Sequence, residues 1–150
     1  MSRAIRVLLV GGVLLTGAAC GTAPNAPTAT GASSAPSAPP AIAATCEALA
    51  QAYGKNMAPL AQSLSDLVAD RKAVAPAQQA LAAFATAVQD ATKGSEDRQV
   101  RADGKQAADQ MRAKSTDKAF FSTIKKPEDV DKTIGPTLTE WLAPVQRHCT

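Results

Sequence analysis

Histidine occurs once in this chain, at His148, and a lone histidine cannot build a zinc site without other ligands. A surplus of charge is also missing. The formal net charge is +3, but Arg3 and Arg6 fall in the first six residues, and without them 14 Lys and Arg face 13 Asp and Glu. A nucleic-acid binder carries a basic footprint, and none survives that subtraction. No apolar run is long enough to span a bilayer, which takes about 20 residues; the longest candidate is the stretch from Val7 to Cys20.

Catalytic signatures are absent as well. There is no Gly-x-Ser-x-Gly elbow, and Gly104-Lys105 lacks the upstream glycine and the following Ser or Thr of a P-loop. Asp66 and Asp70 stand one helical turn apart, a spacing that general acid–base pairs use, but they fall on the polar face of a helix and read as solvent-exposed. His148 reads as a solvated residue at a helix C-terminus, a place the helix dipole makes favourable for histidine. With no nucleophile, base or metal set converging, an enzyme is not expected.

What the chain does have is alanine, the best helix former, used with proline in a manner that suggests a high-GC bacterial gene. It also has an ordered N-terminus: Arg3 and Arg6, then the apolar stretch Val7–Leu15, then Thr16-Gly17-Ala18-Ala19 before Cys20. Positive, greasy and small is the order of a secretory signal peptide. The segment Gly17-Ala18-Ala19-Cys20 resembles the lipobox of bacterial lipoproteins. That resemblance implies that residues 1–19 are removed and that the Cys20 thiol receives a diacylglycerol. Acyl chains such as palmitate would then hold the protein on the outer face of the cytoplasmic membrane. In this sequence Gly17 stands where the family has leucine. Gly17 and Ala19 also satisfy the small-x-small rule of ordinary secretion, so cleavage without acylation is the alternative.

Residues 21–44 hold five of the ten prolines and no charge. So little large apolar content cannot offset the entropy of ordering, and a disordered Pro/Ala/Ser/Thr linker of polyproline character is expected between Cys20 and Thr45. It reads as a spacer, and its Ser and Thr beside Pro are candidate O-glycan acceptors.

From Thr45 to Thr150 a helical period dominates, and an all-α fold is expected. Leu49, Tyr53, Met57, Leu60, Leu64, Leu67 and Val68 recur at three- and four-residue steps. With Thr45 as cap, they predict one helix to about Lys72, kinked where Gly54 and Pro59 interrupt it. Ala75-Pro76 predicts the start of a second helix, with Leu81, Phe84, Val88 and Ala91 inward and Gly94 as its stop. Ser95, followed by Glu96 and Asp97, predicts the start of a third, with Val100, Ala107, Ala108 and Met111 inward. Residues 116–134 are expected to be irregular, with Phe120, Phe121 and Ile124 plugging one end of the core. Thr137 with Glu140 matches the capping box of a last helix, burying Leu138, Trp141, Leu142 and Val145 and bent at Pro144. Short loops between four helices predict a small up-down bundle.

In that topology the start of the first helix and the end of the last lie together, where Cys46 and Cys149 stand. Three cysteines in an exported chain leave one over. If Cys20 is acylated, Cys46 and Cys149 remain as an even pair, and a disulfide between them is expected.

Two candidate sites remain. Asp129, Asp131, Thr133, Thr137 and Glu140 fall at positions 1, 3, 5, 9 and 12 of a segment that resembles a calcium loop, although Gly135 is one place late for the sharp turn. Tyr53, Met57, Met111, Phe120 and Phe121 could line a pocket for an apolar ligand such as haem or lipid. The function expected is therefore a membrane-anchored, non-catalytic helical module that engages a protein of the cell envelope and not nucleic acid. Apart from the acyl chains on Cys20 no cofactor is expected. A carrier of an apolar ligand is the alternative.

Overall fold

A computed structural model of the protein describes residues 40–150, with side chains from Ile42. The signal peptide, Cys20 and most of the expected linker lie outside the described residues. Within them the chain is all-helical: α1 (Pro40–Ala69), α2 (Val74–Lys93), α3 (Arg98–Ser115), α4 (Lys118–Ser122), α5 (Pro127–Asp129), a π-helical turn (Val130–Ile134), α6 (Gly135–Gln146) and a 3₁₀ turn (Arg147–Cys149). α1 packs on α2, α2 on α3 and α3 on α6, while the 3₁₀ turn closes back onto α1.

α1 starts at Pro40, five residues before Thr45, so the last residues assigned to the linker are helical. Proline at a first helical position costs nothing, because that N–H has no intrahelical acceptor. Ile42 lies four residues before Cys46 and seven before Leu49, on the same face, and is buried with them. Thr45 is a buried residue inside the helix, not its cap. The helix runs through Gly54 and Pro59. Pro59 offers no N–H to the carbonyl of Lys55, an exposed residue whose carbonyl water can serve. It ends at Ala69, where Asp70 builds the turn: its Oδ1 accepts from Lys72 N at 2.9 Å, and its carbonyl accepts from Ala73 N at 2.9 Å.

Two other boundaries differ from expectation, the starts of α2 and α3, while α2 ends at Gly94 as expected. α2 begins at Val74, which leaves Pro76 within the first turn. Gly94 ends α2 with φ −90° and ψ 0°, a right-handed conformation open to any residue, so the stop does not depend on glycine. α3 is capped by Asp97 and not Ser95: the Asp97 carboxylate accepts from Gln99 N at 2.7 Å and Val100 N at 3.2 Å.

The segment expected to be irregular, 116–134, is largely helical. Asp117 accepts from Phe120 N at 3.1 Å and caps α4. From Pro127 the chain is helical without a break to Gln146, so the expected start at Thr137 with Glu140 does not exist. Its entry is fastened instead by Asp129, whose Oδ2 accepts from Lys125 N and Lys126 N at 2.9 and 3.2 Å. The widened turn at Val130–Ile134 precedes Pro136. A proline ring crowds the carbonyl four residues back, which here belongs to Lys132, and a π turn relieves such a clash within a continuous helix.

The core follows the helical periods closely. Leu49, Leu60, Leu64, Leu67, Leu81, Phe84, Val88, Val100, Ala107, Ala108, Met111, Phe121, Ile124, Leu138, Leu142 and Val145 are buried. Tyr53, Val68, Ala91, Phe120 and Trp141 are half-buried against them. Met57 breaks the pattern and is 42% exposed.

α2 and α3 approach closely at Thr92 and Gly104. A Cβ on Gly104 would fall on the Oγ1, Cβ and Cγ2 of Thr92. The Thr92 hydroxyl is held there by donating to the Val88 carbonyl at 3.0 Å. Glycine in a helix interior costs about 1 kcal/mol relative to alanine, and the close crossing is what that cost permits. Gly104→Ala is therefore expected to destabilise the fold, by about 1–3 kcal/mol on the scale of overpacked cores, despite alanine's better propensity. Thermal unfolding checks this, and in a Thr92→Gly background the penalty shrinks.

Candidate functional site

At the end of the molecule where α1 begins, three features meet. The first is the cysteine pair. The sulfurs of Cys46 and Cys149 lie 2.00 Å apart, at disulfide distance, with Cα atoms 5.6 Å apart across a sequence separation of 103. The two residues expected to pair are thus brought together, one on the second turn of α1 and one at the end of the 3₁₀ turn, both half-buried.

The second feature was not foreseen. His148 is not a solvated helix-end residue. Its Nε2 sits 2.8 Å from Asp103 Oδ2, and the His148 side chain keeps only 25% of its exposure. Asp103 is buried on α3, and its other oxygen accepts from Gln99 Nε2 at 2.9 Å. A buried carboxylate needs such partners. The signal was legible in the spacing, because Asp103 lies three residues after Val100 and four before Ala107, on the apolar face of α3. A charged residue in an apolar stripe calls for a partner; the sequence could not say that His148 supplies it from 45 residues away.

The third feature is the start of α3 itself. Two backbone N–H groups of the first turn, Gln99 first and then Val100, hold the Asp97 carboxyl below its ordinary range, with smaller help from His148 and Arg101. The same physics acts at the other end of the bundle. Asp117 is lowered by Lys114 and then by the Phe120 N–H, and Asp129 by the backbone of Lys125 and then Lys126. A carboxylate with a depressed folded-state pKa stabilises the fold above its unfolded pKa and loses that contribution as pH falls through the folded one. All three caps weaken in acid.

Chemically, an Asp–His pair is two-thirds of a hydrolytic triad. Ser95, which precedes α3, has a buried hydroxyl that makes no hydrogen bond to the ring or to any other described group. Among the described residues no three His, Cys, Asp or Glu side chains come together as a metal site. The calcium-loop candidates are dispersed by the fold: Asp129, Asp131, Thr133 and Glu140 lie along one continuous helical segment, and Asp129 is engaged as a cap. A helix projects residues around its axis and cannot wrap an ion as a loop does.

The apolar-pocket candidates also separate. Met111 and Phe121 are fully buried core residues. Phe120 packs edge-on to Phe121, with ring centres 5.3 Å apart, and leans on Trp141 at 6.4 Å. Tyr53 packs edge-on to Phe84 at 5.4 Å, and its hydroxyl accepts from Gln146 Nε2 at 2.8 Å. Phe120 and Phe121 share an apolar crevice with Leu60, Leu81 and Trp141, and Met57 is the one of the five that is exposed. It lines a groove of about 250 Å³ with Leu60, Ala61, Leu64, Val130, Asp131, Ile134, Gly135 and Leu138. A second groove of about 310 Å³, sharing Ala61, Val130 and Asp131, continues toward Val68 and Pro127. Both lie between α1 and the chain around the π turn.

Burial pushes the Tyr53 phenol up to about 12, and the Gln146 hydrogen bond offsets part of that rise. The raised value favours the protonated phenol in the fold, so stability is lost as pH climbs from about 10, the unfolded value, through about 12. As Tyr53 is the chain's one tyrosine, its phenolate absorbance is expected to titrate near 12 in the native protein and near 10 in denaturant. A native midpoint at 10 would contradict the packing described.

Comparison of the chain with protein-family models, with curated proteins and with solved structures finds no match. No described helix is long and apolar enough to cross a membrane.

Proposed function

We propose that this protein is a bacterial lipoprotein of the cell envelope: an up-down bundle of four principal helices carried on a tether from acylated Cys20, acting as a non-catalytic module that engages another envelope protein. Residues 1–19 are its signal peptide, and the anchor holds it on the outer face of the cytoplasmic membrane. Cysteine parity carries this reading. Cys46 and Cys149 occupy each other, which leaves Cys20, behind a positive and apolar leader, as the one thiol with no partner in the domain. A free thiol on an exported tail needs a fate, and acylation supplies one.

Tether geometry is consistent with a module held clear of the bilayer. With α1 starting at Pro40, residues 20–39 reach about 60 Å at polyproline extension. The alternative is a carrier of an apolar ligand, favoured by the grooves beside Met57, whose walls are mostly aliphatic. Methionine suits such a surface because its side chain adapts to what it meets.

The deciding experiment is membrane fractionation of the full-length protein and its Cys20→Ala variant in a bacterial host. The native chain is expected in the membrane fraction, released by detergent, and the variant in the aqueous phase or the medium. A variant that stays with the membrane overturns the reading.

A further inference from the structure

We infer that the Cys46–Cys149 bond is a redox latch that sets where the folded domain begins. Helix lengths show what it holds. At 1.5 Å per residue, α1 is about 45 Å long and α2 about 30 Å, and the two are joined at the far end by the short turn 70–73. The first turns of α1 therefore overhang α2. What covers that overhang is the C-terminal 3₁₀ turn, which packs on α1 and ends in Cys149. Of the overhanging residues only Ile42, Thr45 and Leu49 are buried.

A helix end held by so little apolar contact opens locally at low free energy, and short helices without a docked face do not persist in water. The C-terminal side is lightly held too. Past Val145, its side-chain ties to the rest of the fold are Gln146 to Tyr53, His148 to Asp103, and the bond itself. α6 proper is different, with Leu138, Leu142 and Val145 in the core. Breaking the bond thus frees residues 40–48 and 147–150 while α2, α3 and α6 stay packed.

The reaction is thiol–disulfide exchange with a dithiol. One thiolate of the dithiol attacks a sulfur of the pair and forms a mixed disulfide, and its second thiol displaces the remaining protein sulfur. Two electrons and two protons arrive at Cys46 and Cys149, and the dithiol leaves as a disulfide. Both cysteines are half-buried and so within reach. In the anchored protein, which rests on the lipoprotein reading above, each residue released from α1 passes from about 1.5 Å of helix to about 3.1 Å of extended tether, so reduction lengthens the tether. The fraying itself does not depend on that reading.

Hydrogen exchange of the full chain, with and without dithiothreitol, tests the latch. On reduction, amides in 40–48 and 147–150 are expected to exchange more than about tenfold faster while those of 50–145 keep their protection. The Cys46→Ala/Cys149→Ala double variant is expected to show the reduced pattern without reagent and no further change with it. Unchanged protection at both ends would show a bond that merely decorates a stable fold. Loss of protection throughout would show a staple for the whole domain, and either result overturns the latch. Failure of Cys20 to be acylated leaves this result untouched.

Discussion

One covalent link between the two ends of the folded chain conditions the rest of the structure. Cys46 stands on the second turn of α1 and Cys149 one residue from the C-terminus. α1 packs on α2, α2 on α3 and α3 on α6, while the first and last helices meet more lightly, through contacts such as Gln146 to Tyr53. The bond closes that lighter side at one end. At the other end α1 and the π turn stand apart, and the grooves beside Met57 lie between them. A core this rich in alanine, with Ala77, Ala85, Ala107 and Ala108 fully buried, packs tightly but buries little apolar area per residue.

Close approach is the second consequence of small side chains. Gly104 against Thr92 brings α2 and α3 together, and the Arg112 guanidinium bridges the same pair by donating to Gln89. Gly104 reads in the sequence as a blemish in a helix. In the structure it is the site of a close crossing with Thr92, recognisable beforehand only as a glycine in phase with Val100, Ala107 and Met111.

Periodicity carried most of the fold. Apolar spacing placed the interiors of α1, α2, α3 and α6 and nearly all of the core, because a 3.6-residue stripe has few ways to be buried. Edges were less legible. Asp97 displaced Ser95 as a cap, and Asp129 displaced Thr137, since several capping residues within a few positions compete and only the tertiary path selects among them. Ile42 was in phase with Leu49 but stood among prolines, whose composition outweighed its spacing. Pairings between distant segments were legible only where chemistry restricts the partner. Two cysteines have one another, whereas Asp103 could have met any cation and met His148. Met57 stayed exposed beside a groove that Val130, Asp131 and Ile134 of the π turn also line.

The molecule is thus divided by chemistry along its length. The end where α1 begins holds the cysteine pair, the Asp103–His148 contact and the Asp97 cap. The middle and far end of α1 hold the apolar grooves. The account rests on three cysteines having two fates. Mass spectrometric mapping of peptides from the protein isolated from bacterial membranes, without reduction, measures this directly. The result required is a linked peptide joining Cys46 to Cys149 and an N-terminal peptide whose Cys20 carries acyl mass. Free thiols at Cys46 and Cys149, or a disulfide engaging Cys20, would contradict it.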